Sequence, residues 1–327
     1  MLPKSPVAGA GGGILCQREL PPPDRAVWNK DVTGEAMGQG YGAQGMVGPL
    51  RRVVMRRPGE AMAAADPAAW HYTGAIDVEE ACGAHDVLVE ALRAWDVEVL
   101  YHDKPLPDHS DSVFVFDPVL VTDRGTLVLS MGKERRRGEE EPLARALQDC
   151  GVPVYGRLED DARVEGGDTM WLDHDTLAVG RGFRTNAEGV RQLRGHLEPL
   201  GVTVLDYDLP HFTGPEACLH LLSLISPVDV DLAVAYPPLM PTAFWAELKR
   251  REVRLLEVPE REFALTQATN VLTVAPRKCI MLEDNPVTKQ LLEMADCEVV
   301  TFPGAPLSFK AEGGPTCLTR PVLRDPE

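Results

Sequence analysis

The sequence lacks an excess of positive charge. Its 327 residues include 33 lysines and arginines against 50 aspartates and glutamates, so the formal net charge is -17. Such a charge disfavours binding to nucleic-acid phosphates and to anionic membrane surfaces. It mildly favours a cationic ligand, although a charge that serves only solubility explains it equally well. We therefore expect a small-molecule ligand, no nucleic-acid partner and no membrane partner.

Long hydrophobic runs are also missing, and none is long enough to span a membrane. The apolar patch at residues 14–16 is too short for a signal-peptide core, and Leu15 is too large to precede a lipoprotein cleavage site. The seven cysteines are odd in number and widely scattered, which suits reduced thiols better than a disulfide framework. These features predict a cytoplasmic protein.

Metal-ligand and nucleotide-binding motifs are absent as well. No two cysteines have zinc-knuckle spacing, and Cys218 and His220 are too close along the chain for the usual zinc ligands. We therefore predict no metal. No Gly-x-Gly-x-x-Gly turn follows a strand and there is no phosphate loop, which weighs against an ordinary nucleotide-binding sheet.

The sequence does contain a recurring pattern of an apolar strand, a polar stretch, an amphipathic helix and a short valine-rich strand. Successive units are offset by roughly 45 to 55 residues, a period typical of repeat architectures. The helices are predicted over residues 78–95, 139–150, 187–200, 242–252 and 286–296. The preceding strands include residues 53–55, 113–121, 177–179, 232–235 and 271–274.

Five such ββαβ units predict an α/β fold that closes into a ring. The alternative is a single doubly wound sheet, because strands that alternate with helices also produce that fold. Residues 1–48 are rich in glycine and proline and predict a flexible N-terminal arm. Residues 49–327 are predicted to form a single domain.

In a ring of repeats, the ends of strands from different units meet at the centre, so catalytic residues should be distributed among the units. Cys317 follows the glycine pair Gly313-Gly314, is expected to lie in a short apolar strand and is a candidate nucleophile. A free cysteine is more often a small buried hydrophobe. His220 lies in a strongly apolar run, where it is either a hydrogen-bonded core histidine or a functional one.

Three further positions carry polar candidates. Glu165 precedes a double-glycine turn that could present an acid or base to a closed site, although a hairpin loop explains it too. Asp117 ends an aromatic strand and could hold a guanidinium or ammonium group, or merely begin an Asp-Pro turn. Arg184 precedes a helix and could hold a carboxylate. The charged run at residues 133–137 is expected to be a solvated helix start.

Taken together, these motifs resemble the guanidine-modifying pentein superfamily, which includes arginine deiminases, amidinotransferases and dimethylarginine dimethylaminohydrolases. The motifs are Asp-Ser-Val-Phe-Val-Phe-Asp-Pro at residues 111–118, Glu-Gly-Gly-Asp at 165–168, Arg-Thr-Asn at 184–186, Leu-His-Leu at 219–221 and Gly-Gly-Pro-Thr-Cys at 313–317. They occur in the order of the family. The resemblance implies that residues 49–327 form a single catalytic domain with the family's five-bladed α/β propeller of ββαβ units.

The resemblance also implies catalytic roles. Cys317 is expected to attack the central guanidinium carbon and to form a covalent amidino-thioether. His220 is expected to protonate the departing amine and then to activate water, while Glu165 orients His220 and holds a substrate nitrogen. This chemistry requires neither a metal nor an organic cofactor.

For substrate binding, the resemblance implies that Asp117 holds the guanidinium, that Asp111 lies nearby and that Arg184, with Arg136, binds the α-carboxylate. One departure concerns Phe116, because dimethylarginine hydrolases commonly have glutamate before the guanidinium-binding aspartate. Phe116 removes a carboxylate and is compatible with a less polar or differently substituted guanidine.

The primary hypothesis is a hydrolase of arginine or a methylated or related arginine, which yields a citrulline-like ureido product and ammonia or an alkylamine. An amidinotransferase that uses the same covalent intermediate is the close alternative. A non-enzymatic binding protein on the same ring is a further alternative. A homo-oligomer is compatible with the sequence, which does not define an oligomeric state.

Overall fold

The computed structural model describes residues 40–326, which form five three-stranded sheets arranged as the blades of a propeller. In every blade the second strand lies in the middle. It pairs antiparallel with the first strand and parallel with the third, which follows a crossover helix. The predicted ring of five ββαβ units is therefore confirmed.

The blades differ in their residues but share this order of elements. Blade 1 contains β1 (Leu50–Met55), α3 (Val78–Ala94), β2 (Glu98–Tyr101) and β15 (Arg320–Arg324). Blade 2 contains β3 (Val119–Thr122), β4 (Gly125–Val128), α4 (Glu140–Asp149) and β5 (Val154–Arg157). Blade 3 contains β6 (Thr169–Asp173), β7 (Thr176–Arg181), α5 (Ala187–Leu197) and β8 (Thr203–Asp208).

Blade 4 contains β9 (Ile225–Asp229), β10 (Leu232–Ala235), α6 (Thr242–Arg250) and β11 (Arg254–Glu257). Blade 5 contains β12 (Leu272–Ala275), β13 (Lys278–Leu282), α8 (Pro286–Met294) and β14 (Glu298–Phe302). The short helices α1 (Glu60–Ala63), α2 (Pro67–Trp70), α7 (Glu260–Thr266) and α9 (Ser308–Ala311) lie in the connections. Between residues 40 and 326, no helix combines the length and the apolar character needed to cross a bilayer.

Local sequence signals account for the crossover helices. Asp77 accepts hydrogen bonds from the first amides of α3, and Asn186 accepts one from Gly189 in α5. Such N-caps satisfy backbone donors that the first helical turn leaves without partners. The five predicted helices begin within one residue of the observed starts.

One predicted strand is wrong in its extent. Residues 113–121 were expected to be extended, but a 3₁₀ turn occupies Ser110–Val113 and the strand begins only at Val119. The Asp117-Pro118 bend interrupts the apolar run, because the residue before a proline is restricted and proline has no amide hydrogen.

The C-terminal strand closes the ring. β15 pairs antiparallel with β1 and takes the place that the first strand of a ββαβ unit has in the other blades. Blade 1 therefore contains strands from both ends of the described chain. The closure also brings the loop before β15 to the centre of the ring.

The domain boundary predicted at residue 48 falls within a packed segment. Ala43 and Val47 are buried, and Gly42 exchanges backbone hydrogen bonds with Val322 and Arg324 beside β15. The described domain therefore includes residues 40–48 of the predicted arm. The rest of that arm lies outside the described residues.

Candidate active site

The loops that precede the first strands of the blades are joined to one another around the ring. The Phe116 amide donates to the Cys317 carbonyl, and the Gly166 amide donates to the Asp117 carbonyl. The Leu221 amide donates to the Asp168 carboxylate at 3.0 Å. These bonds between blades fix the relative positions of side chains that lie far apart in sequence.

Five polar side chains occupy equivalent places in these loops. Each lies a few residues before the first strand of its blade, and they are Asp117, Glu165, His220, Asn270 and Cys317. The pseudo-fivefold symmetry of the fold thus directs one polar side chain from every blade toward the centre. Four of the five were predicted from sequence.

Glu165 and His220 form a buried pair. The Nε2 atom of His220 lies 2.7 Å from Oε2 of Glu165, and the Lys133 amide donates to Oε1 at 2.7 Å. Burial disfavours a charged imidazole, but Coulombic attraction to Cys218 and Asp168, together with the hydrogen bonds to Cys218 and Glu165, outweighs it and raises the pKa of His220. The paired imidazole lowers the pKa of Glu165 against the opposing effect of burial.

The glycine pair after Glu165 is required by close packing. A Cβ atom at Gly166 would lie 2.3 Å from the Phe116 carbonyl oxygen, and one at Gly167 would lie 2.3 Å from Nδ1 of His220. Real Cβ contacts are not this short, so larger residues would displace the imidazole or the neighbouring loop. The Gly-Gly motif therefore lets the loops of blades 2, 3 and 4 meet.

Cys317 lies in a turn just before β15, whereas the sequence predicted a short strand at this point. The Nδ2 group of Asn270 donates to its Sγ at 3.3 Å, and the Oδ1 of the same amide accepts from the Thr316 amide at 3.1 Å. Burial and the nearby charge of Asp117 raise the pKa of Cys317 to about 11, although the Asn270 hydrogen bond opposes the shift.

Asp117 is held by blades 2 and 3. Its Oδ2 accepts from Arg136 at 2.6 Å, and its Oδ1 accepts from the Gly167 amide at 2.8 Å. Arg136 also donates to Glu139 and to the Phe114 carbonyl, so its guanidinium is largely occupied by the protein. Arg136 is buried, and the expectation that residues 133–137 form a solvated helix start is wrong for it.

Asp111 and Lys133 form a second ion pair. The Nζ atom of Lys133 lies 2.6 Å from Oδ2 of Asp111, whose other oxygen accepts from the Tyr72 hydroxyl at 2.6 Å. Arg184 is buried and lies next to the Glu165–His220 pair, with Nη1 3.4 Å from Oε2 of Glu165. Two cations and two carboxylates thus surround the place where a polar substrate would lie.

These side chains line a single polar cleft, whose walls include Asp111, Asp117, Lys133, Arg184, His220 and Cys317. Ligand atoms of Asp117, Glu165 and His220 also lie within 4.8 Å of one another, a spacing that a metal ion could use. Both carboxylates are already paired, with Arg136 and with His220 and Arg184, so a metal would have to replace these partners.

Sequence reasoning missed three residues of this site. Asn270 appeared to be an ordinary residue before a strand, and its partner is remote in sequence. Lys133 was interpreted only as part of the charged run at residues 133–137. Cys218 was considered only as a metal ligand, but its Sγ lies 3.7 Å from Nδ1 of His220. The equivalent position of Asn270 in the five-unit repeat is the one signal that could have identified it.

Comparisons with known proteins agree with this architecture. A protein-family model described as N,N dimethylarginine dimethylhydrolase, eukaryotic, matches residues 63–324. The N(G),N(G)-dimethylarginine dimethylaminohydrolase of Streptomyces coelicolor is 32% identical over 274 residues, which cover 83% of this chain and 96% of that protein.

Two solved structures show the same fold. A Cys-to-Ser variant of the dimethylarginine dimethylaminohydrolase from Pseudomonas aeruginosa, in complex with citrulline, superposes with a TM-score of 0.69 at 26% identity and covers 83% of this chain and 99% of its own. The N-terminal domain of ArgZ, a cyanobacterial arginine dihydrolase, has a TM-score of 0.71 at 23% identity, with 84% and 98% coverage. The ArgZ likeness concerns the fold alone.

Proposed function

The chain belongs to the N,N-dimethylarginine dimethylhydrolase family of the pentein superfamily, and on that premise we propose that it hydrolyses a guanidinium C–N bond of arginine or of an Nω-substituted arginine. Its relatives are hydrolases that act on the C–N bonds of amidines. The products are a citrulline-like ureido compound and ammonia or an alkylamine. The observation that carries the proposal is the convergence of Cys317, His220, Glu165 and Asp117 from the loops of four blades.

The reaction begins with a guanidinium ion held beside Cys317. Asp117 supports this cation because its carboxylate is buried at the base of the cleft and retains lone pairs beyond its bonds to Arg136 and Gly167. A cation next to a buried thiol favours the thiolate, so the substrate itself counteracts the raised pKa of Cys317.

Cys317 then attacks the central carbon, and His220 supplies the proton that the departing nitrogen needs. The raised pKa of His220 keeps a proton on the imidazole for this step, and Glu165 holds the ring in place. After the amine leaves, the neutral imidazole accepts a proton from water. The water oxygen attacks the amidino carbon, and the C–S bond breaks to release the ureido product.

The remaining charges of the cleft suit the amino-acid end of the substrate. Arg184 and Lys133 are the cations that line the cleft near Glu165 and Asp111, and a guanidinium forms two parallel hydrogen bonds with a carboxylate. We assign the α-carboxylate to Arg184 with Lys133 as a second cation. The role of Arg136 in carboxylate binding stays a prediction. Its hydrogen bonds to Asp117, Glu139 and the Phe114 carbonyl favour a role in orienting Asp117 instead.

An amidinotransferase would use the same covalent intermediate but would resolve it with an amine. No contact in the site distinguishes an attacking amine from water. The non-enzymatic alternative does not account for a buried Glu165–His220 pair next to a free thiol.

The purified protein, incubated with L-arginine, Nω-methyl-L-arginine and asymmetric dimethylarginine, tests the proposal. We expect ureido product and free amine from at least one compound, a transient amidino adduct on Cys317 by mass spectrometry, and loss of both in Cys317→Ser. Adduct without ureido product until an amine is added would indicate transfer. Full turnover by Cys317→Ser would contradict the assignment of the nucleophile.

A further inference from the structure

A large second cavity adjoins the polar cleft, and we call it the apolar chamber. Its volume is about 560 Å³, against about 40 Å³ for the polar cleft. The two cavities meet at Cys218, His220, Glu312 and Cys317, so the nucleophile and the proton donor face both. A volume of this size is typical of pockets that bind drug-sized organic molecules.

Aromatic side chains form part of the walls of the apolar chamber, and two of them are held in place by the protein. The Cζ atom of Arg320 lies 3.9 Å from the centroid of the Phe116 ring, so the guanidinium covers the ring face. The same arginine donates to the Phe116 carbonyl at 2.9 Å. Phe263 stacks on Tyr236 with an interplanar angle of 10°. These walls are therefore formed before a ligand binds, which reduces the entropy cost of binding.

The mouth of the apolar chamber exposes apolar side chains to solvent. Phe212 is 44% exposed and Leu265 is 63% exposed, and both line the chamber. Exposed apolar groups that border a cavity often mark a ligand-binding surface. Polar groups, among them Glu312, Gln267 and Asn270, also line the chamber, but its exposed apolar rim and its phenylalanine side chains suit an alkyl or aryl group.

We propose that the apolar chamber binds the N-substituent of the departing amine, and that the enzyme prefers arginines whose Nω atom carries an apolar group much larger than methyl. This inference rests on the proposed function and names the substrate class of the same site. The cleft binds the amino-acid end, and the reacting carbon lies beside Cys317. The apolar chamber, which borders Cys317 and His220, then has space for a bulky substituent on the leaving nitrogen.

Phe116 contributes to this selectivity. It stands where the family pattern commonly places glutamate, and here it forms part of the wall next to Gly167, Thr316 and Cys317. A glutamate there would place a carboxylate in the wall, and burial of that charge by an apolar substituent would be costly. Phe116 thus gives this part of the wall an apolar side chain.

The chemistry balances without an additional reactant. The thiolate of Cys317 forms a bond to the guanidinium carbon, and the C–N bond to the substituted nitrogen breaks. The nitrogen takes its proton from His220 and leaves as an alkylamine through the apolar chamber. Water then completes hydrolysis, so the sum is a substituted arginine plus water giving the ureido amino acid plus the amine.

A homologous series of Nω-methyl-, Nω-butyl- and Nω-hexyl-L-arginine tests the proposal. Each buried methylene contributes a factor of about four, so we expect kcat/KM to rise at least about 30-fold from methyl to hexyl. The covalent adduct has the same mass for every member, because the substituent has already left. The rate of adduct formation should therefore differ between the members of the series, whereas the rate of adduct hydrolysis should be the same for all of them.

Variants at the rim locate the effect. Leu265→Ser and Phe212→Ser remove exposed apolar surface, and we expect each to lower the hexyl-to-methyl ratio of kcat/KM several-fold. Met294→Ser is the matched control, because Met294 is 74% exposed on α8 and does not line the apolar chamber. This control should keep the wild-type ratio.

The outcomes separate the inference from the proposed function. If Nω-methylarginine is turned over but kcat/KM stays constant or falls from methyl to hexyl, the assignment of the chamber is wrong and the proposed hydrolase activity is retained. A rising series that Leu265→Ser and Phe212→Ser do not change would also overturn it, because the substituent would bind elsewhere. Neither product nor Cys317 adduct from any member, or from L-arginine and asymmetric dimethylarginine, would refute the proposed function and this inference together.

Discussion

At the scale of single residues, the resting site contains a thiol and a charged imidazole rather than two ready reactants. Burial and Asp117 raise the pKa of Cys317 to about 11, while attraction to Cys218 and Asp168 raises that of His220. At neutral pH both groups therefore keep their protons. In the proposed mechanism a cationic substrate favours the thiolate, and until it binds, the protonated thiol of the free protein reacts slowly with oxidants and alkylating agents.

This arrangement predicts how the Cys317 thiol titrates. The thiolate absorbance of the wild type minus that of Cys317→Ser should rise with an apparent pKa near 11 in the free protein. Saturating methylguanidinium should lower this apparent pKa, because a bound cation favours the thiolate. An apparent pKa near 7 for Cys317 in the free protein would instead indicate a preformed thiolate–imidazolium pair.

Asn270 is predicted to position the thiol. Asn270→Asp keeps the acceptor for the Thr316 amide but replaces the Nδ2 donor with a carboxylate oxygen beside Sγ. We expect kcat to fall by about 10- to 100-fold and the thiol pKa to rise, since a donor to the thiolate is lost and a charge is added. The pKa of Cys317 is measured by the same difference titration. It would not change if Asn270 had only a structural role.

At the scale of elements, the short loops before the first strands carry the site, and their glycines set the distances. Gly167→Ala should lower kcat at least about 100-fold because its Cβ would occupy the space of the His220 ring, and displacements of this kind are costly in catalysis. Circular dichroism and the Tm should show that the propeller still forms.

Gly195→Ala is the matched control for that substitution. A Cβ at Gly195 in α5 would meet no atom within 4 Å, so alanine should stabilise the helix by about 0.5–1 kcal/mol. Activity should remain at the wild-type level. Equal losses of activity in both variants would show that the effect of Gly167→Ala does not come from contact with His220.

The regular elements could be predicted from sequence because each has a local cause. Helix periodicity, caps such as Asp77 and Asn186, and the valine-rich exits identify the five crossover helices. The four short helices could not be predicted, since one or two turns are too few for a period to appear. The strand expected at residues 113–121 was wrong in its extent because the buried apolar residues at its start belong to a turn. Apolar composition alone does not distinguish a buried turn from a buried strand.

At the scale of the whole molecule, ring closure creates the partners of the candidate catalytic residues. His220 and Glu165 are 55 residues apart in sequence, and Asn270 and Cys317 are 47 apart. The motifs predicted which polar residues matter, but the contacts of Asn270 and Lys133 depend on how neighbouring blades are registered. Such contacts have no local signal in the chain. The cytoplasmic location expected from sequence stays a prediction.

The closing blade gives the last prediction, which concerns residues 40–48. Gly42 bonds to Val322 and Arg324, and the Arg324 side chain donates to the Gly48 carbonyl at 2.6 Å. A chain that begins at residue 49 loses these bonds and the burial of Ala43 and Val47. Because each net hydrogen bond contributes about 1 kcal/mol, its Tm should be on the order of 5–10 °C below that of a chain that begins at residue 40.

The same comparison tests whether closure supports catalysis. β15 carries the turn of Cys317, so a loosened closing blade should also increase the mobility of the nucleophile. We therefore expect the chain that begins at residue 49 to lose kcat at temperatures well below its Tm, while KM changes less, because Asp117 and Arg184 are held by blades 2 and 3. Equal Tm and equal kcat for the two chains would show that β1 alone holds β15, and that residues 40–48 add nothing to the closure of the ring.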